Sequence, residues 1–186
     1  MLIPTRENAA VLFLDLQDDI ITNSRTVPEA GLRRAAGVLA RLAALHKLPS
    51  FLSAVPGRGA FLAEVLEPLG GPEPRNRTQT TAFADAELVA ALRDIGRPVL
   101  ILAGVASEIV VQRTALDALA AGYSVLVAVD ACGGIGERTE DAAWRRIVAA
   151  GGATTSVITF GAELAGDFES ELGGQTLGLL YDLIRR

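Results

Sequence analysis

From end to end the chain alternates between short strand-like runs, the first of them continuously apolar, and longer segments whose apolar residues recur at helical spacing. The runs are "AAVLFLDL" (9–16), "SFLSAV" (50–55), "PVLILAG" (98–104), "YSVLVAVDA" (123–131) and "ATTSVITF" (153–160). Between them lie "PEAGLRRAAGVLARLAALHKL" (28–48), "GAFLAEVLEPLG" (59–70), "DAELVAALRDIG" (85–96), "SEIVVQRTALDALAAG" (107–122) and "ERTEDAAWRRIVAAGG" (137–152). A strand that is apolar at successive positions has to be covered on both faces, and that is how strands of a parallel sheet read. Strand–helix–strand repetition with right-handed crossovers then places helices on both sides of the sheet. The fold class expected is therefore α/β: a doubly wound, Rossmann-like parallel sheet, with residues 1–186 as a single domain.

The spacing predicts strands near 10–15, 50–55, 98–103, 123–129 and 154–159. Counting these as one to five, the expected spatial order is 3-2-1-4-5, with room for a sixth strand. Pro28 suits the first turn of its helix, Asp85 and Ser107 are good helix starters, and Gly96 is a good stop. The stretch "GPEPRNRTQTTAF" (71–83) reads as a polar loop, and two short helices are expected near 161–170 and 174–185.

Composition removes several function classes. Half of the residues are hydrophobic, 21% are charged and the net charge is −5, so a packed core is available and no basic face exists for a phosphate backbone. Nucleic acid and anionic membrane are not expected as partners; a small-molecule substrate is. The only cysteine is Cys132 and the only histidine is His46. One thiol makes no internal disulfide, which suits a reducing cytoplasm. The inventory rules out zinc sites of the usual Cys and His types, and no metal or cofactor is expected. The first residues lack the pattern of a secretory signal, and "AAVLFL" is too short to span a bilayer. Neither a G-x-G-x-x-G after a strand nor a P-loop is present, so nucleotide binding of those kinds is rejected.

In a doubly wound sheet, ligands bind at the carboxyl ends of the strands. The residues to inspect are Asp15 and Gln17, Ser53, Gly104 to Val110, and Asp130 to Gly134. Asp15 follows a buried strand and reads equally as a general acid or base and as a turn-forming Asp. Arg75 and Arg77 read as solvated loop charges, or as cations holding a substrate carboxylate or pairing with Asp15. The start of the 107–122 helix offers backbone N–H groups to an oxyanion. Cys132, just after its strand, reads as a small apolar filler before it reads as a nucleophile. His46 reads as a surface or helix-end residue, and Trp144 as helix packing.

Taken together, these segments resemble the isochorismatase-like hydrolase superfamily over nearly the whole chain. "AAVLFLDLQDDI" resembles the opening strand with its catalytic Asp and nearby Gln, and "RTQTTAF" the Lys-x-x-x-Ser-Ala-Phe loop. "LILAGVASEIVVQRTALDALAAGYSVLVAVDACGG" resembles the most diagnostic block, Gly-Val-x-Thr-Glu-x-Cys-Val followed by Thr-Ala-x-Asp-Ala and Gly-Tyr. "DAAWRRIVAAGGATTSVITFGAEL" resembles the tail of the branch that includes the YcaC-type hydrolases. The resemblance implies Asp15 at the catalytic Asp position, Arg77 where Lys is usual, and Val110 where the nucleophilic cysteine stands. It implies a non-proline cis peptide at Val105–Ala106, substrate contacts at Gln17, Ala106 and Ser107, and no zinc ligands after the second strand. Val110 excludes covalent thiol catalysis at that position.

Two functions from different classes follow. One is a non-covalent hydrolase using Asp15 as acid or base, with Arg77 and the helix N-terminus binding negative charge on a small anionic or amide-type molecule. The other is a catalytically silent member of the same superfamily that binds a ligand or serves as an assembly subunit. A homo-oligomer is expected by resemblance and from the apolar tail "LGLLYDLI" (177–184), which needs a surface to cover.

Overall fold

A computed structural model of the chain describes residues 2–184. Its strands are β1 (Ala9–Leu14), β2 (Ser50–Ala54), β3 (Arg75–Asn76), β4 (Val99–Val105), β5 (Ser124–Gly133) and β6 (Ala153–Thr155). They form one sheet in the order β3-β2-β1-β4-β5-β6 with every pairing parallel. The helices are α1 (Asp18–Ile21), α2 (Glu29–Leu45), α3 (Ala63–Leu66), α4 (Ala86–Asp94), α5 (Gln112–Ala120), α6 (Glu137–Ala149), α7 (Val157–Ala165) and α8 (Glu171–Ile184).

The alternation along β1 divides the core. Ala9, Val11 and Phe13 face a cluster built with α2, α3, α7 and α8, while Ala10, Leu12 and Leu14 face one built with α4, α5 and α6. All six β1 residues and all seven of β4 are buried. Each large apolar side chain buried this way contributes on the order of 1.5–3 kcal/mol. On the outer face of α2 sits the polar half of an amphipathic helix, and Leu32, Val38, Leu39 and Leu42 fill the inner half.

The doubly wound architecture is as expected, but the strand order is not. The run 98–103 was expected at the edge beyond 50–55; as β4 it lies beside β1 on the other side. A strand with no polar or charged side chain is poorly suited to an open edge. The edges are instead the two-residue β3 and three-residue β6, and β3 is the sixth strand, drawn from the expected loop.

The strand expected at 154–159 also ends early, at Thr155. From Val157 the chain is helical, because two side chains satisfy the orphan N–H groups of α7. Ser156 Oγ accepts from Thr159 N at 3.0 Å, and the Asp130 carboxylate on β5 accepts from Val157 N at 2.9 Å. Capping overrides the β-branched composition of "VIT". Cys132, expected beyond the fourth strand, is inside β5 and fully buried.

The apolar tail forms α8, which packs on α2 and α7. Gly161 permits this contact, since a Cβ there would stand 2.7 Å from Leu180 Cδ2. His46 ends α2 as its C-cap, in line with the helix-end reading, but it is not at the surface: it is only 3% exposed and joins α2 to α8 through Thr176 Oγ1 at 2.8 Å. Among the described residues no helix is long and apolar enough to cross a membrane.

Candidate active site at the carboxyl edge of the sheet

Asp15 and Arg77 meet at the carboxyl edge of β1 and β2. β1 ends at Leu14, and Asp15 turns the chain with φ 54°, a left-handed conformation that Asp tolerates better than most residues. Asp15 N donates to Ser53 O at 2.9 Å and Arg77 N donates to Ala54 O at 2.9 Å, so both residues are hung from the end of β2. Arg77 Nη2 then donates to Asp15 Oδ1 at 2.6 Å and Oδ2 at 2.7 Å. Nη1 donates to Gln79 O at 2.5 Å, while Nε is buried with no partner among the described residues.

Asp15 is 5% exposed and Arg77 6%. Burial pushes the Asp15 carboxyl above its ordinary range, and the Arg77 charge and hydrogen bonds oppose that rise. Of the two arginines in the loop, only Arg77 reaches Asp15. Arg75 pairs with Asp85 at 2.7 Å and Glu87 at 2.5 Å, at the start of α4.

The second wall comes from β4 and the helix after it. Leu14 lies opposite Gly104, where a Cβ would stand 2.2 Å from Leu14 O, so the strands approach here only with glycine at 104. The Val105–Ala106 peptide is cis. Ser107–Val111 form a wide π-type turn that runs on into α5. Val110, in that turn, is 2% exposed and packs in the apolar cluster that holds Leu14, Ala82 and Cys132. The sheet therefore brings Asp15, Arg77, Ala106 and Val110 to one edge.

Two residues expected to face a ligand are engaged with the protein. Gln17 Nε2 donates to Val55 O at 3.0 Å and Gly59 O at 3.2 Å, and its Oε1 accepts from Val55 N at 2.7 Å. It fastens the segment after β2. Ser107 Oγ donates to Glu140 Oε1 at 2.7 Å and fixes the turn to α6. The sequence reading passed over Glu108, which holds α6 in place by accepting from Ile135 N at 2.9 Å and Thr139 Oγ1 at 2.6 Å. A signal for it was present: the acid lies beside Ser107 in the diagnostic block, where "Glu" is part of the pattern.

A cleft of about 250 Å3 opens beside this wall, lined by Thr80, Glu108, Ile109, Gln112, Arg113 and Arg146. Burial pushes the Cys132 thiol well up, so at neutral pH it is protonated and unreactive. Among the described residues, no three His, Cys, Asp or Glu side chains are grouped as a metal would require.

Comparison with known proteins matches residues 9–159 to the isochorismatase domain. The chain is 27% identical over 173 residues to the probable hydrolase YcaC of Escherichia coli strain K12, covering 91% of this chain and 83% of that one. The structure of YcaC from Pseudomonas aeruginosa, with hexane-2,5-diol and covalent acrylamide, superposes with a TM-score of 0.89 at 29% identity. That match covers 98% of this chain and 95% of the other. The Escherichia coli YcaC structure, described as an octameric hydrolase of unknown specificity, gives a TM-score of 0.91 at 26% identity over 98% of this chain and 91% of the other.

Proposed function

The chain belongs to the isochorismatase family, and from that premise we propose that it is a hydrolase of small anionic or amide-type molecules that works without a cysteine nucleophile. The observation that carries the reading is the buried Asp15–Arg77 pair. A carboxylate and a guanidinium at a ligand-binding sheet edge are costly to bury, and such groups cluster at functional sites.

In this reading Asp15 is the general base. Each of its oxygens accepts from Arg77 and keeps a second lone pair for a water molecule. Asp15 takes a proton from that water while the water oxygen adds to the substrate carbonyl carbon. The carbonyl electrons move onto oxygen and are held by N–H groups at the start of the 107–120 helix. When the carbonyl re-forms, the bond to the leaving group breaks and Asp15 returns the proton to it. Arg77 Nε, the unpartnered donor, binds an acceptor of the substrate. Ala106 and Ser107 contribute backbone to the same wall, and Gln17 and the Ser107 hydroxyl position it.

Homo-oligomeric assembly in the cytoplasm is part of the proposal, supported by the octameric YcaC relative and the single reduced thiol. A second reading, a silent subunit that binds without turnover, draws on Val110, which fills the nucleophile's place with a buried apolar side chain. A panel of small amides, esters and carboxylates tests both. Hydrolysis by the wild type that is lost in Asp15→Asn supports the enzyme; ligands that raise the melting temperature without any turnover support the silent subunit.

A further inference from the structure

The largest cleft described lies away from the sheet edge. It has a volume of about 860 Å3 and runs between α2, the α3 segment and α8. Its charged lining is mostly self-satisfied. Arg33 pairs with Asp18 at 2.6 Å, Glu29 at 2.9 Å and Glu64 at 3.3 Å, and Arg41 pairs with Asp182 at 2.7 Å. Two exposed charges remain with no ion-pair partner among the described residues: Arg34 on α2 and Glu67 just after α3. They are of opposite sign and line the same cleft.

The α8 wall is shaped for close approach. At Gly178 a Cβ would meet nothing within 4 Å, so the helix backbone there is bare toward the cleft. Beside it Tyr181, which lines the cleft, is 38% exposed, while Leu180 on the opposite side is buried in the chain's own core.

We infer that this cleft is a two-fold docking surface for a second copy of the chain, in which Arg34 of one copy pairs with Glu67 of the other, twice. A two-fold contact presents the same patch from both sides, so the patch has to be complementary to itself. One leftover cation and one leftover anion lining the same cleft meet that condition. An anionic ligand or a uniformly charged partner would leave one of them unanswered. The bare Gly178 backbone admits the partner's helix, and the Tyr181 ring supplies apolar area at the seam. The inference rests on the proposed homo-oligomer and assigns it a face.

The test is light scattering and sedimentation of the full chain at micromolar concentration. Arg34→Glu and Glu67→Arg each give a smaller assembly than the wild type, and the double swap Arg34→Glu/Glu67→Arg restores the original mass. Both side chains are exposed, so each variant keeps the wild-type circular dichroism spectrum and melts cooperatively, at a temperature lowered only by its smaller assembly. Gly178→Leu, whose Cβ meets nothing within 4 Å in its own chain, also gives the smaller assembly and stands in if a charge variant misfolds. A monomeric wild type overturns the assembly reading itself. An oligomeric wild type whose mass none of these substitutions changes overturns this face alone. Smaller single variants that the double swap fails to restore overturn the Arg34–Glu67 pairing.

Discussion

Arg77 Nη2 stands 2.6 Å and 2.7 Å from the two carboxylate oxygens of Asp15, with both side chains under a tenth exposed. An ion pair this deep is asymmetric in its energetics. Removing one partner leaves the other charged, buried and unanswered, which costs about 3–5 kcal/mol. Arg77→Ala is therefore expected to lower unfolding stability by about that amount, measured in urea with the slope unchanged. Removing both charges together in Asp15→Ala/Arg77→Ala is expected to cost less than the sum of the two single losses. Additive losses in that cycle would dissolve the pair as a coupled unit.

The same pair sets a pH profile. Asp15 acts as a base only when ionised, and burial raises its pKa above the ordinary 3.8 even with Arg77 opposing. Activity is expected to climb with pH, with its lower inflection above the range of a solvated carboxylate. The stability contribution runs the other way. A folded-state pKa above the unfolded value favours folding at low pH, and that gain is lost as pH rises through the raised pKa. An inflection in kcat/KM at or below the ordinary carboxylate value would contradict a buried base.

How much of this was legible in the sequence depended on how local the cause was. The β1 and β4 runs announce buried strands because six or seven successive apolar residues leave no other reading. Pairing order is less local: the apolar run 98–104 argues against an open edge, but nothing in it says which strands flank it. The strand expected at 154–159 ends at Thr155, and α7 begins at Val157. The deciding group, Asp130, is 27 positions away from Val157 and becomes visible only once β5 and α7 are side by side. At the site, the motif spacing brought forward Asp15, Arg77 and Val110. That Gln17 and Ser107 spend their polar atoms on the segment after β2 and on Glu140 is a tertiary fact.

His46 supplies a second pH dependence. Thr176 Oγ1 donates to Leu172 O at 2.7 Å, so it accepts from His46 Nε2–H, leaving a bare Nδ1 that is buried without a partner among the described residues. Burial lowers the His46 pKa, with Arg6 adding to the effect. A lowered folded-state pKa means that the unfolded chain protonates first. Stability is full above about pH 6.5 and falls as pH drops below it. The melting temperature should fall between about pH 7.5 and about pH 5, and His46→Gln should flatten part of that slope. Equal slopes in the two proteins would show that His46 takes up its proton alike in the folded and unfolded states, which contradicts a lowered folded-state pKa.

Gly104 marks where the site leaves no room. A Cβ at this position would stand 2.2 Å from Leu14 O and 2.6 Å from Leu14 Cβ, both on the adjoining central strand. Neither atom moves without disturbing β1 and the turn at Asp15. Gly104→Ala is expected to cost more than about 4 kcal/mol, which places the variant in the insoluble fraction on expression. A soluble Gly104→Ala chain with wild-type melting behaviour would show that β1 and β4 can separate locally.

The last prediction concerns thiol chemistry. Cys132 is the only cysteine; it is fully buried in β5 and its thiol is pushed well up by burial. Val110, proposed above to stand at the nucleophile's position, has no ionisable group. Activity should therefore survive iodoacetamide and Cys132→Ala, while Asp15→Asn lowers it by at least about 100-fold, since an amide exchanges no proton with water or leaving group. Val110→Cys reverses the logic. The new thiol would sit in the turn at the start of a helix, on the same sheet edge as Asp15 and Arg77, where the helix N-terminus and a cation depress its pKa. It is expected to react with iodoacetamide faster than Cys132 and, if it adds amide-hydrolase activity, to make that added activity alkylation-sensitive. Inactivation of the wild type by iodoacetamide, or by Cys132→Ala in a chain that still melts cooperatively, would move the nucleophile to Cys132 and overturn the water-based mechanism.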